Sequence, residues 1–503
     1  MHLPPRWAAP RPALSEALVD LEADFDELLY LCRSAEAELV EAAGGLDAAS
    51  LRGDTRELLR REIARSRRGY RSAAVRLLAL RERAHCDRPS PSLVRDLTAG
   101  KAELADLLRV KQALTAALVT AGDWQSPSFL SSAMPASARR NGRIQPHWND
   151  YKRDRHLDAD VFERRYLDAM VDGPPGLGVM LTSCGMAAFT TILSYLAMEG
   201  KLEGPVVAGA GLYHESRLLL ERALPGRVHF LDECDTPALL QAIDGLDAGA
   251  VFLDSLSNTK SMPVPELGAV LGQLRGSSTY LVLDNTGLSI SCQPFAHADD
   301  SVRLIAFESL LKYAQLGLDR ANAGLIIARD EDIRGLSGYR EHLGTNVADV
   351  AVHALPTPDR DVLRRRLGRL QRNAALVAER LQERVGPSVE IVYPGLSSHP
   401  AARSSHKLPF HGGCFSIVFA GDDPELRREQ ALVEAAVATA SRRGVALAGG
   451  SSFGFDTSRI YLTAIRGADC SEPFVRVAVG TEHRLELEPL AEVFAAAIRE
   501  VVE

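Results

Sequence analysis

The chain has 503 residues, 46% hydrophobic and 25% charged, the profile of a soluble globular protein and not of a disordered chain, a collagen-like fibre or a disulfide-rich miniprotein. Basic residues number 58 and acidic residues 66, a net charge of −8, which points away from nucleic acid and membrane surfaces as partners. Seven cysteines at 32, 86, 184, 234, 292, 414 and 470 form no CxxC pair, so no metal site is expected, and their dispersal fits reduced thiols in a cytoplasm. The start, MHLPPRWAAPRP, lacks the apolar core of a secretory signal, and no run approaches the ~18 apolar residues of a spanning helix.

Residues 13–121 read as helix. Leu14, Leu18, Leu21 and Phe25 recur three or four apart, with Leu28 and Leu29 next. GGLDAAS breaks the pattern near residue 45, and helical segments follow at 54–85 and 91–121, separated by CDRPSPS. Their charged faces are read as solvated. Residues 1–122 are thus expected to be an all-α extension, a hairpin or bundle serving dimerisation, capping of the site or partner binding. Gly122, Pro127, Pro135, Gly142, Pro146 and many serines then mark a linker or arm.

Beyond it, strand-like runs (GLGVMLTS, PVVAGA, VHFLD, AGAVFLDS, TYLVLDN, RLIAF, AGLIIAR) are interspersed with helical ones. That pattern predicts an α/β domain over 123–357 with a mainly parallel sheet. From 358 to 503, an Arg-rich helix at 362–384, the runs EIVYPGL and GCFSIVFAG, a helix at 425–443 and FVRVAVG predict a smaller α+β domain.

Six features carry chemistry. Lys312 follows a buried strand-like run; it is either a snorkelling helix lysine or a Schiff-base lysine, which partial desolvation would keep nucleophilic. Asp284 ends the aliphatic strand TYLVLD and either caps a turn or faces a pyridine nitrogen. Two such residues at consecutive strand ends would share the crevice where open α/β sheets bind ligands. LTSCGMAAF opens a helix with small residues, a setting suited to phosphate. Tyr213 could stack on an aromatic ring or pack at the surface. Asn258 could contact a ligand oxygen or make an Asx turn. Arg476 lies within a β-run, which is costly unless the guanidinium is paired or clamps a carboxylate.

In this order the features resemble the Cys/Met-metabolism group of fold-type-I pyridoxal-phosphate enzymes, over roughly residues 145–503. SCGMAA is similar to that family's SSGMAA, which implies that the amides of Gly185 and Met186 hold the cofactor phosphate. LYHESR resembles LYGGTY and gives Tyr213 ring stacking. DSLSNTK resembles the strand ending in a PxNP-like turn and gives Asn258 the cofactor hydroxyl. LDNT matches VDNT and gives Asp284 the pyridine nitrogen. SLLKY resembles SATKY, making Lys312 the Schiff-base lysine and Ser309 a phosphate ligand. RVAVG resembles RxSVG and gives Arg476 the substrate α-carboxylate, with Ser452 of SSFGFDTS beside it.

The sequence also departs from the family pattern. Leu311 stands where a hydroxyl residue is usual, and His214 and Glu215 replace two glycines. The element that a neighbouring subunit inserts, YSRxxNPT, has only NDYKRDR as its counterpart, with Tyr151 near the leaving group and Arg153 on the partner's phosphate. The resemblance implies a cytoplasmic homo-oligomer, a dimer with shared sites assembled into a tetramer. It also implies a lyase that uses pyridoxal phosphate to eliminate a γ-substituent, a thiol or another group such as a halide, from an L-amino acid. The alternatives are a γ-replacement synthase forming a C–S or C–C bond, and a catalytically silent assembly protein.

Overall fold

The computed structural model describes residues 11–46, 53–86, 91–121, 157–403, 409–421, 426–463 and 473–502. Helices α1 (Arg11–Gly45), α2 (Gly53–Cys86) and α3 (Pro91–Ala121) come first. Apolar side chains recur on each at three- and four-residue steps and so fall on one face. Leu21, Phe25, Leu28, Cys32 and Leu39 of α1 join Ile63, Tyr70 and Leu77 of α2 and Leu97, Leu104 and Leu108 of α3 in one core. The Tyr70 hydroxyl donates to the Leu107 carbonyl at 2.8 Å, which satisfies the polar tip of a buried ring.

After α4 (Leu157–Met170), the chain forms β1 (Leu177–Thr182), α5 (Gly185–Met198), β2 (Val206–Gly209), α6 (His214–Ala223), β3 (Val228–Leu231) and α7 (Thr236–Gly245). It continues with β4 (Ala250–Asp254), α8 (Leu267–Gln273), β5 (Tyr280–Asp284), β6 (Arg303–Ser309), β7 (Gly324–Arg329) and α9 (Asp330–Leu343). The seven strands make one sheet in the order β1-β7-β6-β5-β4-β2-β3. From β3 through β2, β4 and β5 to β6 every pairing is parallel, whereas β7 is antiparallel to β6 and β1. Residues 310–323 hold no helix that could carry a crossover, so the chain returns antiparallel. Alternate strand residues enter two cores: Val251, Leu253, Leu281 and Leu283 on one face, Phe252, Val282 and Ile305 on the other. Burial on both faces explains why these strands read as unbroken apolar runs. The strand order reverses between β2 and β4, which places a crevice at their carboxyl ends.

Helix α10 (Arg360–Gln382) begins at Asp359, whose carboxylate accepts from the amides of Asp361 and Val362, each at 3.0 Å. Strands β8 (Val389–Val392), β9 (Cys414–Phe419), β10 (Ala448–Gly449), β11 (Arg459–Leu462) and β12 (Val475–Ala478) form a second sheet in the order β10-β11-β12-β9-β8. Helices α11 (Arg427–Arg443) and α12 (Arg484–Val502) accompany it. Val377, Ile391, Phe415, Ile417, Val477 and Phe494 belong to its core. No described helix is long and apolar enough to cross a membrane.

The charges of the first three helices are not all solvated, contrary to the sequence pattern. Asp20 and Asp24 of α1 and Lys111 of α3 are buried. Asp20 and Asp24 are covered by the Arg-rich helix docked against α1, whose Arg366 and Arg369 are themselves buried, whereas Lys111 is buried where it meets Glu38 and the His353 carbonyl. Arg369 donates to Asp24 at 2.9 Å and to the Asp20 carbonyl at 3.0 Å. Arg372 grips both Asp20 oxygens at 2.7 and 3.0 Å, and Arg366 grips both Glu27 oxygens at 2.9 and 3.1 Å. Burial alone would raise the Asp24 pKa. Lys101, Arg369 and His483 outweigh it and hold this carboxyl well below the usual range. A carboxyl depressed in the folded state contributes stability above its unfolded pKa near 4 and loses it as pH falls. Arg369→Leu is therefore expected to cost about 3–5 kcal/mol at neutral pH by leaving buried carboxylates short of a partner. That cost, read by urea denaturation, should narrow towards acid pH as Asp24 protonates.

Candidate active site

A cleft of about 440 Å³ lies at the carboxyl ends of β4, β5 and β6 and is closed on its other side by residues around β11 and β12. Every site residue expected from the sequence that falls among the described residues lines it. Tyr151 and Arg153 lie outside the described residues.

At one end stands the start of α5. The Cys184 thiol caps the helix by accepting from the Ala187 amide at 3.3 Å, which leaves the first two amides, those of Gly185 and Met186, without an intrahelical acceptor. Ser309, at the end of β6, faces them. A Cβ on Gly185 would come within 2.8 Å of the Ser309 Cβ, so only glycine permits this approach. The Ser309 amide donates to the Thr286 hydroxyl at 2.9 Å, and the Thr286 amide donates to Asp284 at 2.9 Å. Thr286 thus ties Ser309, beside the helix start, to the Asp284 carboxylate.

The floor holds two carboxyls. Asp284 and Asp254 end adjacent parallel strands and are paired in register. Burial pushes the Asp284 pKa up, against hydrogen bonds from Thr286 and the charge of Lys312. Burial, Asp284 and Glu233 push Asp254 well above the carboxylate range. Asp254 accepts the Tyr213 amide at 3.0 Å and so fixes the chain where α6 begins. Asp254 was missed in the sequence, although AVFLD and YLVLD are the same pattern, an apolar strand ending in aspartate. The Tyr213 side chain is 39% exposed; burial and the neighbouring Glu215 keep its phenol protonated. His214 and Glu215 line the cleft beside it.

Two cations occupy the opposite wall. Lys312 Nζ donates to Ser452 Oγ at 2.9 Å and lies 5.2 Å from the centre of the Phe453 ring. Burial, then Arg476, lowers its pKa. Arg476 projects from β12 and is 6% exposed. It donates to Asn258 Oδ1 at 2.9 Å and to the Ser452 carbonyl at 3.4 Å. These bonds show how a guanidinium inside this β-run is satisfied while it faces the cleft. Phe453 and Thr286 had no signal of their own in the sequence, because each matters only through a neighbour distant in the chain.

Residues 114–489 match the family described as Cys/Met metabolism PLP-dependent enzyme, where PLP is pyridoxal 5′-phosphate. The chain belongs to that family. The bifunctional enzyme flvA of Aspergillus flavus is 26% identical over 328 residues, 64% of this chain and 39% of that protein. The chain thus matches well under half the length of that relative. The fold is shared with a cystathionine γ-synthase from Xanthomonas oryzae pv. oryzae solved with cystathionine, at TM-score 0.56 and 22% identity over 75% of this chain and 94% of that one. It is also shared with a cystathionine γ-lyase from Lactobacillus plantarum complexed with L-serine, at TM-score 0.56 and 19% identity over 72% and 92%.

The cleft fits the family's cofactor. Unpaired helix amides beside Gly185 and Ser309 suit a phosphate, a buried carboxylate suits a protonated ring nitrogen, and a desolvated amine suits a carbonyl carbon. Borohydride treatment of the PLP-loaded protein should attach the pyridoxyl mass to the peptide containing Lys312, and Lys312→Ala should abolish that label. Gly185→Val should weaken PLP retention at least about tenfold, measured by equilibrium dialysis, because its side chain fills the phosphate cradle.

Proposed function

We propose that this chain catalyses γ-elimination from a γ-substituted L-amino acid, releasing a thiol or another leaving group such as a halide, as a cytoplasmic homo-oligomer. The observation that carries the reading is that Lys312, Arg476 and Asp284 line one cleft, with Ser452 bonded to both Lys312 and Arg476. Bound PLP supplies an electron sink for carbanions at the substrate carbons. Arg476, oriented by Asn258, takes the α-carboxylate, with Ser452 beside it. Lys312 would hold the cofactor carbonyl, and its amine, lining the same cleft as Arg476, would act as the base for the α-proton. Asp284 would keep the ring nitrogen protonated. Gly185, Met186 and Ser309 would anchor the phosphate. Tyr213 would stack on the ring, and its phenol, kept protonated by burial and Glu215, would supply a proton to the leaving group. Tyr151 and Arg153 would come from a partner subunit, in a dimer that pairs into a tetramer.

The retention of Lys312 and Asp284 in one cleft speaks against a silent assembly protein. Elimination and replacement share all these groups and diverge only after the leaving group has departed. A panel of γ-substituted L-amino acids offered to the PLP-loaded protein, with and without an added thiol or carbon nucleophile and with products read by mass spectrometry, should yield a 2-oxo acid and ammonia. A product that keeps its amino group and gains a new C–S or C–C bond would establish γ-replacement instead. Absence of turnover across the panel, with PLP bound, would remove both readings.

A further inference from the structure

The loop that presents Ser452 and Phe453 to the cleft is strained. Ser452 adopts φ +70° and Gly454 φ +88°, and a Cβ on Gly454 would lie 2.5 Å from the Lys312 carbonyl oxygen. A serine in the left-handed region persists only where its surroundings over-determine it. From the cleft side, Lys312 and Arg476 hold Ser452. From the far side, Arg366 Nη2 donates to the Gly454 carbonyl and to Asp456 Oδ1, both at 2.9 Å. The other nitrogen of the same guanidinium, Nη1, is held by both oxygens of Glu27 on α1. The fork is planar, so seating one nitrogen on a carboxylate fixes where the other points. Lys101 of α3 adds a second link, 3.7 Å from Asp456 and 3.2 Å from Asp24. Glu27 and Lys101 precede residue 114, where the family match begins.

We propose that the N-terminal helical unit is a positioning device for the cleft: Glu27, acting through Arg366, holds residues Ser451–Asp456 in the geometry that presents Ser452 and Phe453 to Lys312 and to the substrate carboxylate. The loop restraint stands on the contacts alone; its link to the substrate carboxylate rests on the reading given under Proposed function. Arg366 and Glu27 touch no reacting atom and are positioning residues. The extension is, in this way, part of each subunit's own active site.

Hydrogen exchange followed by mass spectrometry on the full-length, PLP-loaded protein tests this. Glu27→Gln keeps the shape and removes the charge. The peptide covering 450–458 should exchange at least about tenfold faster, while peptides from β4 and β5 keep the parent rate. Arg372→Gln is the control, because Arg372 also ties α10 to α1, through Asp20, and its bonds run to Asp20 and Asn373 instead of the loop. It should leave 450–458 unchanged. Parent-like exchange in Glu27→Gln, or equal loosening in Arg372→Gln, overturns the proposal. With a turned-over amino acid, Glu27→Gln should raise KM more than it lowers kcat; a kcat loss at unchanged KM would also overturn it. Exchange is read without substrate, so this result stands whichever reaction the product assay finds.

Discussion

Asp254 and Asp284 end adjacent parallel strands in register, and a dry site disfavours charge on both carboxyls at once. Parallel pairing makes this unavoidable, because it brings the carboxyl ends of neighbouring strands to the same edge. Much of the cleft is arranged around that constraint. Asp254, pushed well above the carboxylate range, holds the Tyr213 amide and sets the start of α6. Asp284 keeps two hydrogen bonds from Thr286 and faces Lys312, which favour its ionised form. The cations then stand across the cleft, where each meets polar partners and the Phe453 ring.

A second electrostatic constraint sits behind the cleft. Arg366, Arg369, Asp20 and Asp24 are buried together where α1 meets α10. Desolvating such groups is costly, and they are tolerated because nearly every charge meets an opposite one at hydrogen-bond distance. Such a cluster is directional in a way that apolar packing is not. It fixes the register of α1 on α10, and through Gly454 and Asp456 it reaches the loop beside Lys312.

Much of the cofactor end was legible in the sequence because its groups are local. Gly185 and Met186 start a helix directly after a strand, Asp284 ends a strand, and Lys312 lies three residues past Ser309, the end of another. Such residues are placed by their own secondary structure, so a short motif predicts them. Asp254 is equally local, since it too ends an apolar strand. The solvated reading of the helical charges held for most of them and failed at Asp20, Asp24, Glu27 and Lys111. Helical periodicity reports which residues share a face, and cannot report that another charged helix covers it.

Strand periodicity and helix starts act over a few residues, and they were enough for the class of the fold, the mainly parallel sheet and the residue types that line the cleft. Packing alone makes Glu27 pair with Arg366, 339 residues away, sets Arg476 against Asn258, and holds Ser452 left-handed against Lys312. Those pairings depend on which surfaces exclude water together. A charge's partner is chosen by the desolvation it shares, and that is a property of the packed chain.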